Sequence, residues 1–512
     1  MKEEILPEDR TKSESKQIFW NYFSILSGQL GSMVLNLFIL SITARLLQPA
    51  GYGILSLFLM VASLFATLII NWPNSAIIRF GKEEFLKTGK IAEVFRARVV
   101  IFAFTLASSL AIVFFLGSRI TGYIGMEKSG LLVLVLYILI NSVYEMVPYT
   151  LQATGNMKVF GFMPIFEKSV TLLLLLLVLF GIIRISVTNI LLCAIAGQIV
   201  VIIIALTRVS PALQGPGGFS RQRIRQMLGW TWSLSIAAVA SFAFGWIDVV
   251  IIKMFMQEVS SVGVYSVAYK GMTFLSAMIM STISLTFPLI TSLRTTGRND
   301  LIVRYLDELI PQGVLVWSFF LSFIISVSGL FVPFLLGASY TQTILPFMIL
   351  SVGISFNSIT CFYIGIMSAF DLVKEIVFIS IFLSIINLLL NVLLVPVPWL
   401  GINGAAAAKA LSIFVSNYFY ISLINRQGSF GSTRKRFIAY FWSLPALITF
   451  LGCLFFQSWF MRLAVFAAVV AAFLAVAKRS GVFSERTTEI VNYVDMPLML
   501  KNTINKVIRR MS

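Results

Sequence analysis

Fourteen apolar runs, each about as long as a helix needs to cross roughly 30 Å of hydrocarbon, dictate what this chain can become. They fall at about 18–44, 54–78, 99–117, 131–153, 160–183, 187–207, 230–254, 262–290, 311–336, 343–369, 375–396, 402–424, 437–456 and 459–477. Hydrophobic residues make up 58% of the 512 positions, well above the roughly 45–50% of soluble domains, so a soluble fold is excluded. The expected class is an all-α integral membrane protein with about 14 transmembrane helices. The last two runs are separated only by Gln457 and Ser458. The polar N-terminal stretch lacks the apolar core and cleavage site of a signal peptide, so the first helix reads as a permanent span.

Basic residues set the expected orientation. With the N-terminus in the cytoplasm, only Arg45, Arg119, Lys128, Arg184, Lys253 and Arg462 fall outside, and Lys168, Lys270 and Lys409 fall within spans. The rest of the 39 Lys and Arg lie inside. The net charge of +18 is then explained by anchoring to an anionic inner leaflet, and no nucleic-acid partner is expected. The resulting organisation is a cytoplasmic N-terminal segment 1–17, a first six-helix lobe 18–207, a cytoplasmic linker 208–229 and a second six-helix lobe 230–425. A helix pair at 437–477 and a cytoplasmic tail 478–512 complete it. The tail's YVDMPLMLKNTINKVIRRMS has the composition of an amphipathic surface helix, or of a solvated tail. The outer loops are too short to hold a soluble catalytic domain, so no enzyme is expected.

The chain also repeats. AGYGILSLF at 50–58 matches SVGVYSVAY at 261–269 through Gly53/Gly263 and Ser56/Ser266. QATGNMK ends the fourth span and SAFDLVK the tenth, pairing Ala153 with Ala369 and Lys158 with Lys374. Six spans separate each pair, and an even number gives two lobes of the same orientation, related by an axis along the membrane normal. There is no histidine, which removes His-based metal sites, bases and proton switches. The three cysteines are far apart in apolar runs and read as packing residues. Neither GKE nor GKI completes a Walker A pattern, so no ATP hydrolysis, metal or cofactor is expected.

Charges inside the spans carry the functional information. Glu145, Glu167, Lys168, Asp248, Lys270 and Lys409 would each cost about 2.5–3.5 kcal/mol in a lipid-facing position, so they must pair or face water. Neighbouring spans suggest the pairs Asp248–Lys270 and Glu145–Lys168, as braces or as the lining of a hydrated cavity. Lys409 shows no acidic partner at its depth and is expected to face that cavity. Asn387 and Asn391, four residues apart, share a helix face, for interhelical hydrogen bonding or for a polar path. The small residues of GINGAAAAKA let the twelfth span approach a neighbour closely. Arg79 closes the second span after a kink expected at Pro73.

Three stretches look familiar: ITARLLQPAGYGILSLF at 42–58, IDVVIIKMFMQEVSSVGVYSVAYK at 247–270 and NLLLNVLLVPVPWLGINGAAAAKAL at 387–411. The chain resembles polysaccharide-biosynthesis flippases of the Wzx (O-antigen unit) type, within the multidrug/oligosaccharidyl-lipid/polysaccharide exporter superfamily. That resemblance implies two pseudo-symmetric six-helix lobes that open alternately to each side of the bacterial cytoplasmic (inner) membrane, with both termini cytoplasmic. It implies transport of an oligosaccharide linked through pyrophosphate to undecaprenol, for lipopolysaccharide or another surface polysaccharide. A polysaccharide polymerase and chain-length machinery, together with membrane lipids, are the implied partners. The candidates to attract the anionic cargo are Arg79, Lys168, Lys270 and Lys409, with Asn387 and Asn391. Glu145 and Asp248 are the candidates to titrate or to carry a coupling ion, H+ or Na+. The competing readings are a drug/cation antiporter or a peptidoglycan-precursor flippase of the same superfamily.

Overall fold

The computed structural model describes residues 7–215, 220–426, 434–483, 502 and 506. No strand occurs among the described residues, as lipid demands of a chain whose backbone must satisfy its own hydrogen bonds. Twelve helices there are long and apolar enough to cross a membrane. The first of these runs over Ser27–Thr88, 62 residues, which is more than twice what one crossing needs. It begins in α1 (Pro7–Ser63) and is turned at Gln48, with φ 56 and ψ 172, followed by Pro49. Two spans are therefore joined by a corner, and α8 (Val259–Thr295) supplies the remaining long helix. The chain is a multi-pass membrane protein.

The second span is not a regular α-helix. It passes through π-helical turns at Leu64–Asn71, a short 3-10 turn at Trp72–Asn74 and π-helical turns again at Ile77–Gly81. Pro73, the residue expected to kink it, sits in the middle of that break and supplies no N–H. Then follow α2 (Lys82–Thr88), α3 (Ala92–Ile124), α4 (Ser129–Ala153), α5 (Met157–Leu179), α6 (Val187–Leu213) and α7 (Arg221–Met256). After α8 come α9 (Asn299–Arg304), α10 (Ile310–Leu336), α11 (Ile344–Ala369), α12 (Val373–Leu394), α13 (Gly401–Arg426), α14 (Ile438–Phe455) and α15 (Trp459–Ser480).

The chain divides into two compact units, Met1–Phe242 and Ala243–Ser512. The division falls inside α7 rather than in the polar stretch 208–229. The reason is local: Met227 packs with Ala76, Val94, Ala97 and Ile101, so the first half of α7 belongs to the first unit. Residues flanking the linker are tied down as well. Arg96 Nη2 donates to the Gly215 carbonyl at 2.6 Å, and Arg223 pairs with Glu93 at 3.4 Å.

The internal repeat is visible in the corners. Gln48 and Gln257 both adopt positive φ, 56° and 57°, at the corner that follows the first helix of each repeat. Gly155 and Asp371, also at positive φ, turn the two matched QATGNMK and SAFDLVK segments. The packing repeats too. In the first unit α4 and α5 both pack on α6, and in the second α11 and α12 both pack on α13.

Close crossings use glycine. A Cβ on Gly28 of α1 would lie 1.7 Å from the Gly161 carbonyl oxygen of α5. In the second unit a Cβ on Gly353 would meet Ala410 Cα at 2.9 Å, and one on Gly404 would meet the Leu394 carbonyl oxygen at 2.6 Å. The small residues of GINGAAAAKA thus bring α13 against α11 and α12, as their size suggests.

The final helix pair packs on α10. Pro445 interrupts the backbone ladder of α14. Ser318 Oγ accepts the Ala446 N–H at 3.1 Å, while Ser318 and Ser355 donate to the Ser443 carbonyl at 3.1 and 3.2 Å. Arg436, fully buried, donates to Asp307 and Asn425. Cys193, Cys361 and Cys453 are buried free thiols. The tail segment expected on the membrane surface lies, apart from residues 502 and 506, outside the described residues.

Candidate functional site

Four of the eight residues singled out in the sequence meet in one cluster in the second unit. Asp248 of α7 is 1% exposed and Lys409 of α13 is 0% exposed, and they form an ion pair at 2.7 Å through Oδ2 and Nζ. Asn387 Nδ2 and Asn391 Nδ2, both from α12, donate to Asp248 Oδ1 at 2.9 Å each. Tyr265 of α8 donates its hydroxyl to Asp248 Oδ2 at 2.6 Å. Each carboxylate oxygen thus receives two donors, which fills its ordinary acceptor capacity. The Lys409 ammonium also donates to the Phe244 carbonyl. It lies 4.1 Å from the centroid of the Phe244 ring and 4.9 Å from that of Tyr269, within cation–π range.

This geometry corrects three expectations. Asp248 pairs with Lys409, not with Lys270. On α8, Lys270 follows Tyr265 by five residues, which at 3.6 residues per turn points it about 140° away from the face that meets Asp248; it is exposed. Lys409 does have an acidic partner at its depth, so its charge is committed inside the protein and does not face a cavity. Asp248, for its part, presents no open oxygen to a coupling ion. Asn387 and Asn391 do share a face, and that face is the interhelical hydrogen-bonding one.

The first unit is organised differently. Lys168 pairs with its neighbour Glu167 at 2.9 Å rather than with Glu145. Glu145 is half-buried, and its backbone carbonyl accepts from Asn74 Nδ2 at 3.3 Å. Arg79 is exposed, its guanidinium 5.0 Å from the Trp230 ring and 5.4 Å from the Phe80 ring.

The residue that sequence reading passed over is Arg98. It is fully buried. Its Nε donates to Asn74 Oδ1 at 2.8 Å and its Nη2 to the Ile70 carbonyl at 2.7 Å. Both acceptors lie in the broken part of the second span, so Arg98 braces that break from α3. Phe102 stacks near it at 5.8 Å, Nη1 has no acceptor, and no carboxylate contacts it among the described residues. Tyr265, Tyr269 and Phe244 were also not singled out. A signal for Tyr265 was present: it and Asp248 stand about equally far from the Gln257 corner, so antiparallel neighbours bring them level.

With this geometry in hand, comparison with known proteins is informative. A family model described as polysaccharide biosynthesis protein matches residues 18–294. The chain belongs to the polysaccharide biosynthesis protein family. Among solved structures, the lipid II flippase MurJ in an inward closed conformation superposes with a TM-score of 0.69 at 13% identity, covering 89% of this chain and 99% of that one. An inward-facing multidrug resistance MATE family transporter of the MOP superfamily gives 0.57 at 13% identity, covering 78% and 94%. A variant of the Vibrio cholerae MATE transporter VcmN gives 0.51 at 15% identity, covering 82% and 99%. At such identities the likeness is one of fold. No curated protein matches the sequence.

Proposed function

We propose that this family member moves an undecaprenyl-pyrophosphate-linked oligosaccharide from the cytoplasmic to the outer leaflet of the bacterial cytoplasmic membrane, by alternating access, for O-antigen or another surface polysaccharide. The observation that carries this reading is membership of a polysaccharide biosynthesis family by a chain built of membrane-spanning helices on the MOP fold. Such a pathway needs a step that carries hydrophilic sugar across hydrocarbon, and a helical bundle with short outer loops is suited to transport rather than to glycosyl chemistry. The prenyl tail stays in lipid while the pyrophosphate and sugars need a hydrated, cationic path.

Of the basic residues singled out, Arg79 and Lys270 are exposed and Lys168 is half-buried, which supports them as contacts for the anionic head group. Lys409, Asn387, Asn391 and Asp248 are buried together and act on cargo only through the helices they hold. Glu145 remains the candidate for ion coupling. Both termini are assigned to the cytoplasm from the distribution of basic residues, and a polymerase acting on the outer leaflet is the implied consumer of the product.

The test is deletion of the gene with fractionation of lipid-linked oligosaccharide. Accumulation on the inner leaflet with loss of surface polysaccharide supports the reading. Unchanged glycan with altered sensitivity to cationic dyes would instead assign a drug antiporter. Restoration of growth in cells lacking their lipid II flippase would assign a peptidoglycan precursor, the cargo named for the MurJ fold relative.

A further inference from the structure

Asp248 was expected to meet a mobile ion, and the structure shows it meeting a tethered one. The acceptors that surround the Lys409 ammonium are those a monovalent cation would take: a carboxylate oxygen at 2.7 Å and the backbone carbonyl of Phe244. Two aromatic faces, Phe244 and Tyr269, complete its surroundings. Asn391 is 0% exposed and sits in the cluster through its Nδ2, yet its Oδ1 has no hydrogen-bond donor. The Asn391 amide is oriented by Asp248 and by the Asn387 carbonyl, which accepts from it at 2.8 Å, so Asn391 holds the carboxylate, and the Lys409 ammonium does not bond its Oδ1.

We propose that Asp248, the Phe244 carbonyl and the rings of Phe244 and Tyr269 form a monovalent-ammonium site that the chain fills with its own Lys409 side chain. The ligand class is a primary ammonium: it donates to the carboxylate and the carbonyl, and the aromatic faces favour a weakly hydrated organic cation over a tightly hydrated metal ion. In the wild-type chain this position takes up no ion from solution. On the transport reading above, it follows that coupling energy enters elsewhere. Shortening Lys409 to alanine removes the alkyl chain and ammonium that fill this buried position and leaves Asp248 without its counter-charge, which converts the site into one for a free alkylammonium ion.

The test uses purified full-length protein and thermal unfolding, so it does not depend on the cargo. Wild type, Lys409→Ala and Lys409→Ala/Asp248→Asn are each measured in choline, sodium and propylammonium chloride at equal ionic strength, with propanol as the neutral control. The expected result is a wild-type midpoint that is the same in propylammonium as in choline. Lys409→Ala should have a lowered midpoint, of which at least half is restored by propylammonium, less by sodium and none by propanol. The double variant should not respond. A folded Lys409→Ala indifferent to every cation, or a double variant rescued by propylammonium as well as the single one, overturns the proposal. If Lys409→Ala aggregates in choline, monodispersity regained by solubilising it in propylammonium is the same rescue. Aggregation in every salt while the double variant stays monodisperse overturns the proposal, because the stranded carboxylate then accepts no free cation. Retained ammonium rescue in a chain that fails the gene-deletion test would remove the transport reading and leave this site standing.

Discussion

Arg98 in the first unit and Lys409 in the second are both completely buried, yet they are held in opposite ways. Lys409 is neutralised by Asp248, and the carboxylate is in turn saturated by Asn387, Asn391 and Tyr265. Arg98 has no carboxylate contact among the described residues; an amide oxygen, a backbone carbonyl and a ring share its charge. The chemistry of the two side chains suits the difference. A guanidinium is planar and delocalised, and its fork reaches two acceptors at once, while an ammonium is a compact charge that needs a counter-charge close by. The consequence is mechanical as well. The second unit ties four helices, α7, α8, α12 and α13, at one point, whereas the first braces a single span that lacks a regular backbone ladder.

The comparison breaks or sharpens on substitution. Lys409→Met strands a buried carboxylate, and removing one partner of a buried pair costs about 3–5 kcal/mol. This variant should show the largest loss in thermal or denaturant unfolding of the purified protein, and adding Asp248→Asn should recover most of that loss. Equal stability of the single and double variants would mean that Asp248 is not dependent on Lys409. Arg98→Met removes two hydrogen bonds from a charged donor, each worth about 1.5–3 kcal/mol, but it also relieves a guanidinium buried without a counter-charge, so a smaller net loss than that of Lys409→Met is expected. If it equals or exceeds the Lys409→Met loss, the contrast between the two units fails. Arg98→Lys should recover little of it, because one ammonium cannot span both Asn74 Oδ1 and the Ile70 carbonyl.

Tyr265→Phe deletes one of four donors to Asp248 and should cost about 1.5 kcal/mol, with the Lys409 pair retained. A loss as large as that of Lys409→Met would make the tyrosine, not the lysine, the keystone of the cluster. The smallest effect belongs to the surface. Lys87 pairs with Glu83 one helical turn away on α2, with both side chains more than half exposed. The hydrogen bond from Lys87, and then its charge, hold the Glu83 carboxyl below its ordinary range. Lys87→Gln should leave the unfolding midpoint unchanged at neutral pH, and a measurable drop would show that this exposed helix contributes more than solvent screening allows.

Parts of this were legible in the sequence for identifiable reasons. The helices announce themselves because lipid admits no polar backbone, so each apolar run meets a helical segment, although helices such as α3 (Ala92–Ile124) extend well beyond their runs. The repeat was readable because each of its two motifs flanks a corner: Gln48 and Gln257, and then Gly155 and Asp371, take a positive φ at matching places. The two asparagines were placed on the correct face by helical period alone. Contacts within a hairpin were legible in principle too. Asn387 and Lys409 stand about equally far from the Pro-rich corner between α12 and α13, and Asn74 and Arg98 about equally far from the loop carrying α2.

The pairing of charges was not legible, because nearness in sequence proved the wrong guide. Asp248 chose Lys409 across many intervening spans over Lys270 in the next helix, and that choice is made by which faces of α7, α8 and α13 meet. Amino-acid order determined that this chain is a two-lobe helical membrane protein, since the cost of burying polar backbone and charge in hydrocarbon is local and applies residue by residue. Only the tertiary structure decided which of those charges satisfy one another, because that depends on the rotation of each helix about its own axis, and a turn of about 140° is enough to exchange a buried ion pair for an exposed lysine.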